Sequence, residues 1–135
     1  TYTVTGGQVE LDAAYVDRMA GLHYMACWKS TKLAYIAPPG KSALSAPKKI
    51  NQLGLVLADT HPDGVYFGQD FINMDPLPLV ENGVEVDPDA VWPNLEARMI
   101  SFPGTWHTDA RLHLVAEAPK PATVMAAVID MDSNS

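Results

Sequence analysis

Apolar and polar residues alternate along most of the chain, in short segments separated by proline and glycine. In residues 110–117 the alanine and leucine side chains share one face, and Arg111 and His113 lie on the other, which is the period of a half-buried β-strand. Related patterns occur at 2–11, 22–29, 51–58, 65–71, 98–102 and 123–129. The pattern predicts an all-β fold, an antiparallel sandwich or partial barrel of about seven strands.

Two segments do not follow the alternation. Leu11, Tyr15, Met19 and Leu22 recur at helical spacing around a start at Asp12, so a short helix near residues 12–20 is the alternative to a strand there. Residues 37–49 are rich in proline, serine and lysine, and they are predicted to form an extended loop that is long for a compact domain.

Two further features of the pattern make specific structural predictions. The segment 123–129 is apolar on both faces, as expected of a central strand that is covered from both sides. The tetrapeptide 61–64 (His-Pro-Asp-Gly) predicts a turn, because proline presets φ at the second position and glycine relaxes the fourth.

The chain has 135 residues, 47% of them hydrophobic and 19% charged, which indicates a single globular domain over residues 1–135. The formal net charge of −7 argues against a surface that binds nucleic acid tightly, because that mode needs clustered lysine and arginine. The apolar run 53–58 is far too short to span a bilayer as a helix. Because the sequence opens at Thr1 without an initiator methionine, we expect either a processed chain or a piece of a longer polypeptide.

The histidines and carboxylates near the C-terminus are the first candidates for chemistry. His107, Asp109 and His113 fall close together in sequence. If residues 108–116 form one strand, however, Asp109 and His113 lie about 13 Å apart along it, too far for two ligands of one ion. This spacing predicts a solvated strand edge rather than a metal site.

Other candidate residues also lack a complete motif. Cys27 follows His23 on a predicted strand, again about 13 Å away, so a small buried thiol is expected. No serine lies in G-x-S-x-G, and 40–42 (Gly-Lys-Ser) lacks the upstream glycine of a phosphate loop. The acidic residues at 81–89 do not match an EF-hand. We therefore predict no catalytic, cofactor-binding or metal-binding residues, no cofactor, and no enzyme activity.

Three stretches resemble a known family. They are AGLHYMACWKSTKL (20–33), APKKINQLGLVLADT (46–60) and RMISFPGTWHTDARLHLVAEAPKPATVMAAVIDM (98–131). In this order they are similar to the C-terminal part of the podovirus tail nozzle or hub family, also called tail tubular protein B or phage DNA-stabilisation protein. The third stretch is the most specific, because its Pro-Gly, Trp, Asp and paired prolines coincide with predicted strand ends.

The resemblance implies a structural protein of the virion tail. It implies a homo-hexameric ring that contacts portal, adaptor and tail fibre proteins and lines the channel through which DNA leaves. Net acidity suits that role, because an acidic wall repels phosphate and DNA slides without being held. It also implies that this chain is the C-terminal piece of a longer protein.

Two alternative functions stay open from the residues alone. The first is a carbohydrate-binding β-sandwich module of a phage or cell-surface adhesin, which would use Trp92, Trp106 and nearby acids. The second is a hydrolase that would use His107, Asp109 or Cys27. Trp28, Trp92 and Trp106 also fit positions at the edge of a core or in an interface.

Overall fold

A computed structural model of the chain describes residues 2–12, 20–35, 39, 44–81 and 83–134. Nine β-strands occur in these residues. They are β1 (Tyr24–Lys29), β2 (Lys48–Thr60), β3 (Val65–Gly68), β4 (Met74–Pro76), β5 (Val80–Glu81), β6 (Val84–Glu85), β7 (Trp92–Ser101), β8 (His113–Ala118) and β9 (Thr123–Ser133). The described residues contain no α-helix, so the predicted all-β class is confirmed.

The strands form two main antiparallel sheets and one small hairpin. The first sheet has four strands in the order β1-β8-β3-β4, and the second has three in the order β7-β2-β9. β5 and β6 pair only with each other. Both main sheets are open, and neither closes into a barrel.

One apolar core lies between the two main sheets. Leu53, Leu55 and Leu57 alternate on β2 and are almost completely buried, whereas Val56 between them is 38% exposed. They share a cluster with residues of the first sheet such as Phe67, whose ring lies 5.8 Å from that of Phe102. Period-2 alternation therefore places one face of β2 against the opposite sheet, which stabilises the sandwich by burial of apolar area.

The prediction that 123–129 forms a central strand is wrong. β9 pairs with β2 on one side and has no other partner strand in the described part of the chain, so it is an edge strand. Residues 123–128 are all exposed. Apolar residues on both faces indicate that both faces of a strand become buried, but they do not show whether the same chain or another one buries them.

The predicted loop at 37–49 ends earlier than expected, because Lys48 and Lys49 begin β2. Lys48 is fully buried, and its Nζ donates to the carbonyl oxygens of Ala46 at 2.8 Å and Leu44 at 3.3 Å. These bonds give the charged end of a strand residue the partners it needs inside the protein. Residues 36–38 and 40–43 lie outside the described residues, as do residues 13–19 of the predicted helix near 12–20.

Two strand boundaries also differ from the alternation pattern. β7 begins at Trp92 rather than near Arg98 and includes Pro93, which is tolerated because β7 is an edge strand. β8 begins only at His113. The predicted turn at 61–64 is confirmed: Pro62–Gly64 forms one turn of 3-10 helix, in which the Gly64 amide donates to the His61 carbonyl at 3.1 Å.

Candidate functional site

A polar pocket of about 270 Å³ lies beside the ends of β1 and β8. Its polar lining comes from Lys29 of β1, from Gln69 and Asp70 after β3, and from the segment 105–113. Ile50 and Phe102 of the core form its apolar floor. We call this site the polar pocket.

The polar pocket brings together the three residues that the strand argument had separated. The chain turns at residues 108 and 109 and enters β8 only at His113, so His107, Asp109 and His113 all line the same pocket. The prediction of a continuous strand over 108–116 is therefore wrong, and so is that of a solvated edge for His113, which is 6% exposed. The main chain of His107 is held by reciprocal hydrogen bonds with Lys48, both 2.9 Å long, which end the alternation.

Hydrogen bonds within the pocket occupy most of its acceptor atoms. His107 Nδ1 accepts from the Asp109 amide at 2.9 Å, and Asp109 Oδ1 accepts from Arg111 Nε at 2.8 Å. Gln69 Oε1 accepts from both the amide and the hydroxyl of Thr105, at 2.8 and 3.1 Å. These contacts fix the orientation of the side chains.

The carboxylate of Asp70 is held by the loop that follows it. Its Oδ1 accepts from the amides of Asn73 at 2.7 Å and Ile72 at 2.8 Å. These bonds, with those from the Asn73 side chain, lower the pKa of Asp70. The hydrogen bond from Arg111 likewise lowers the pKa of Asp109. Both carboxylates are therefore ionised at neutral pH.

His113 is the buried titratable group of the polar pocket. Burial lowers its pKa below the ordinary value of 6.5, and the positive charge of Lys29 lowers it further. The ring packs edge-on against Phe71, with 4.6 Å between the centroids. Among the described residues its Nδ1 atom has no hydrogen-bond partner, which leaves one polar atom of the pocket unsatisfied.

A second candidate surface is an apolar groove between the two edge strands β1 and β9. It encloses about 450 Å³, and its lining contains no Asp, Glu, Lys, Arg or His. Trp28 lies opposite the buried Leu114, and Val124 lies opposite the buried Leu57, so both side chains face the space between the sheets. They nevertheless remain 51% and 41% exposed. The sandwich is therefore open along this side.

Cys27 and the tryptophans take different positions from one another. The prediction of a buried thiol is wrong, because Cys27 is exposed in the apolar groove. Trp92 packs against the core and donates from Nε1 to the Asp87 carbonyl at 3.1 Å. Trp106 is 50% exposed. Sequence alternation did not separate these cases, because exposure depends on which strand lies at the edge.

The described residues contain no group of three or more His, Cys, Asp or Glu side chains that could hold a metal ion. The polar pocket can instead bind a polar group through hydrogen bonds, and the apolar groove can bury an apolar segment. In the part of the chain that the structure describes, no helix has the length and apolar character needed to cross a membrane.

Comparison of the sequence with protein-family models, with curated proteins and with solved structures finds no match.

Proposed function

We propose that this chain is a structural subunit of a short-tailed phage tail, part of the nozzle or hub ring that lines or supports the DNA-ejection channel. The observation that carries the assembly role is the open, apolar side of the sandwich. The sequence resemblance supplies the particular assembly: a homo-hexameric ring in the virion tail, in contact with portal, adaptor and tail fibre proteins.

The size of the exposed apolar surface supports association with another protein surface. Six large side chains on β1 and β9 are 41 to 67% exposed: Tyr24, Met25, Trp28, Val124, Met125 and Val128. At about 150 Å² for a large side chain, their exposed fractions amount to about 500 Å², shared between the two faces of these strands because successive side chains point to opposite faces. A standard protein interface buries about 800 Å² on each partner, so either face supplies part of an interface of that size.

The free strand edges support the same role. β1 and β9 each have one neighbouring strand, so one backbone edge of each is unpaired within the described residues. Monomeric proteins protect such edges with charges or prolines; β9 carries Asp130 and Asp132 at its C-terminal end, and its first seven residues, 123–129, contain neither charge nor proline. A subunit whose edges are covered in an assembly needs no such protection.

The net charge of −7 supports transport of DNA without tight binding. Phosphate groups are repelled by an acidic wall, so DNA passes through such a ring without sequence-specific contacts.

The test is the assembly state of the chain, measured by analytical ultracentrifugation and negative-stain microscopy. We expect concentration-dependent oligomers and ring-shaped particles. Met125→Glu places a charge in the apolar groove and should abolish the oligomers. Val84→Glu is the matched control, because Val84 is 66% exposed in the β5-β6 hairpin, and it should leave them intact. A monomer at all concentrations, or oligomers unaffected by Met125→Glu, would contradict the proposal.

A second candidate function is carbohydrate binding, and the observation that favours it is the half-exposed Trp106 between two residues that line the polar pocket, Thr105 and His107. An exposed indole beside hydrogen-bonding groups is a typical platform for a sugar ring. Trp92 does not contribute such a platform, since it packs on the core. This function predicts glycan-array binding that is lost in Trp106→Ala and kept in Trp28→Ala; absence of any glycan signal from the native chain would exclude it.

A further inference from the structure

We propose that the polar pocket binds the carboxylate group of a small organic acid, with Lys29, Arg111 and His113 as its contacts. This inference is independent of the phage assignment and of the apolar groove, because it rests only on the residues around the pocket.

Several acceptor atoms of the polar pocket already take part in hydrogen bonds. Asp109 Oδ1, Gln69 Oε1 and His107 Nδ1 each accept at least one hydrogen bond from a neighbour in the pocket. Asp70 receives bonds from two amides and from the Asn73 side chain. The acceptors are therefore largely satisfied, and the groups still open are mainly donors.

Lys29 is the most prominent open donor. Across the described residues it takes part in no hydrogen bond and no ion pair, although it lies in the wall of the pocket. It stands directly opposite His113 in the β1-β8 pairing, so the two side chains are neighbours on one face of the sheet. Its positive charge acts on Asp109, whose pKa it lowers, but its ammonium makes no direct ion pair among the described residues and can still contact an anionic ligand.

Arg111 and Gln69 add further donors with a fixed direction. Arg111 donates from Nε to Asp109 and from Nη1 to the Ser30 carbonyl at 3.1 Å, which anchors the guanidinium and leaves Nη2 available. Gln69 is held through its oxygen by Thr105, so its amide nitrogen points away from that contact. Donors held in place in this way lose little freedom when they bind a ligand.

His113 supplies the independent sign that a ligand belongs here. Its side chain is 94% buried and lines the pocket, and its Nδ1 has no partner among the described residues. A buried polar atom without a hydrogen bond is unfavourable, because it has lost its contacts with water and gained none in the protein. With a proton on Nδ1, the imidazole donates to a carboxylate oxygen and this cost is removed.

The charges of the lining distinguish a carboxylate from a phosphate. Lys29 and Arg111 balance Asp70 and Asp109, so the four charges sum to zero around the pocket. A carboxylate adds one negative charge, whereas a phosphate adds nearly two in a chain whose net charge is already −7. A neutral sugar, in turn, would need free acceptors as well as donors, and most acceptors are occupied. The volume of about 270 Å³ fits a molecule of few heavy atoms.

The experiment is a titration of the full chain followed by 1H–15N NMR, with acetate and glucuronate as probes at constant ionic strength. We expect saturable shifts of the Thr105 and Arg111 amides and of the His113 ring nitrogens. Lys29→Met should weaken binding about tenfold, because it removes one of the two positive charges in the pocket lining. Lys49→Met is the matched control, since Lys49 lies on β2 opposite Asp132 and outside the pocket, and it should bind like the native chain.

His113→Phe tests the buried partner, because phenylalanine keeps the ring contact with Phe71 and removes both nitrogens. Provided that its spectrum shows a folded chain, it should also bind more weakly. Inorganic phosphate and glucose complete the design. Shifts that never saturate, binding of phosphate tighter than of either acid, equal binding of glucose and glucuronate, or native affinity in Lys29→Met would each overturn the proposal.

Discussion

The centre of the sandwich and its β1-β9 side differ in how completely their apolar side chains are buried. Around the centre of β2, Leu53 and Leu55 are at most 1% exposed and have neighbouring strands on both sides. At the β1-β9 side, Trp28 and Val124 face the same interior but remain about half exposed. Both regions are apolar in sequence. Apolar composition therefore identifies the surface that becomes buried, while strand order decides whether the same chain buries it.

The largest expected effect is the difference in stability between a side-chain truncation in the closed core and one on the open β1-β9 side. Leu53→Ala should lower the free energy of unfolding by about 3 kcal/mol, because it opens a cavity in a closed core. Met125→Ala, at a side chain that is 67% exposed, should change it by less than about 0.5 kcal/mol in the monomer. Urea unfolding of both variants measures the difference. Equal losses would show that the two sides are packed alike.

Substitution by alanine should destabilise the chain at one glycine and have little effect on stability at another. A Cβ at Gly104 would collide with the main chain of Ile50, so Gly104→Ala should cost about 2 kcal/mol. A Cβ at Gly54 would meet Val128 at an ordinary 3.6 Å, so Gly54→Ala should stay within about 0.5 kcal/mol of the native chain. Thermal unfolding with both substitutions tests this. A stable Gly104→Ala variant would contradict the close packing described at the pocket floor.

The pH dependence of stability tests the burial of His113 at the polar pocket. Its pKa is lower in the folded chain than the ordinary 6.5, so the unfolded chain binds more protons below that pH. Stability should therefore fall as the pH drops below 6.5, with a slope of at most about one proton. Three neighbouring charges also act on the pKa of His113: Lys29 and Arg111 lower it, and Asp70 raises it. His113→Phe should flatten this part of the curve, and an unchanged slope would place the titration elsewhere.

The smallest expected effect concerns the turn that joins β8 to β9. Lys120 Nζ lies 2.6 Å from Asp63 Oδ2, which raises the pKa of Lys120, but the two side chains are 33% and 54% exposed. Lys120→Met should therefore cost less than about 0.5 kcal/mol, and added salt should reduce the difference further. Urea unfolding at low and high salt measures it. A loss comparable with that of Leu53→Ala would contradict the view that this ion pair is a weak surface contact.

At the polar pocket, positions along a predicted strand did not give the arrangement of the side chains. The alternation of 110–117 was read correctly for Leu112 and Leu114, both of which are buried. It failed at His107 and Asp109, because the main chain of His107 pairs with Lys48 and ends the regular strand. That pairing joins residues far apart in sequence, so no local pattern indicates it. A break in the apolar alternation between Trp106 and Ala110 is the signal that could have suggested a turn there.

The all-β class and the 61–64 turn could be predicted from the sequence, because alternation and turn chemistry are local properties. The edge position of β9, the exposure of Cys27 and the common pocket of His107, Asp109 and His113 follow only from the three-dimensional fold. Strand order and sheet opening depend on pairings between distant segments, and many such pairings are compatible with one alternating pattern.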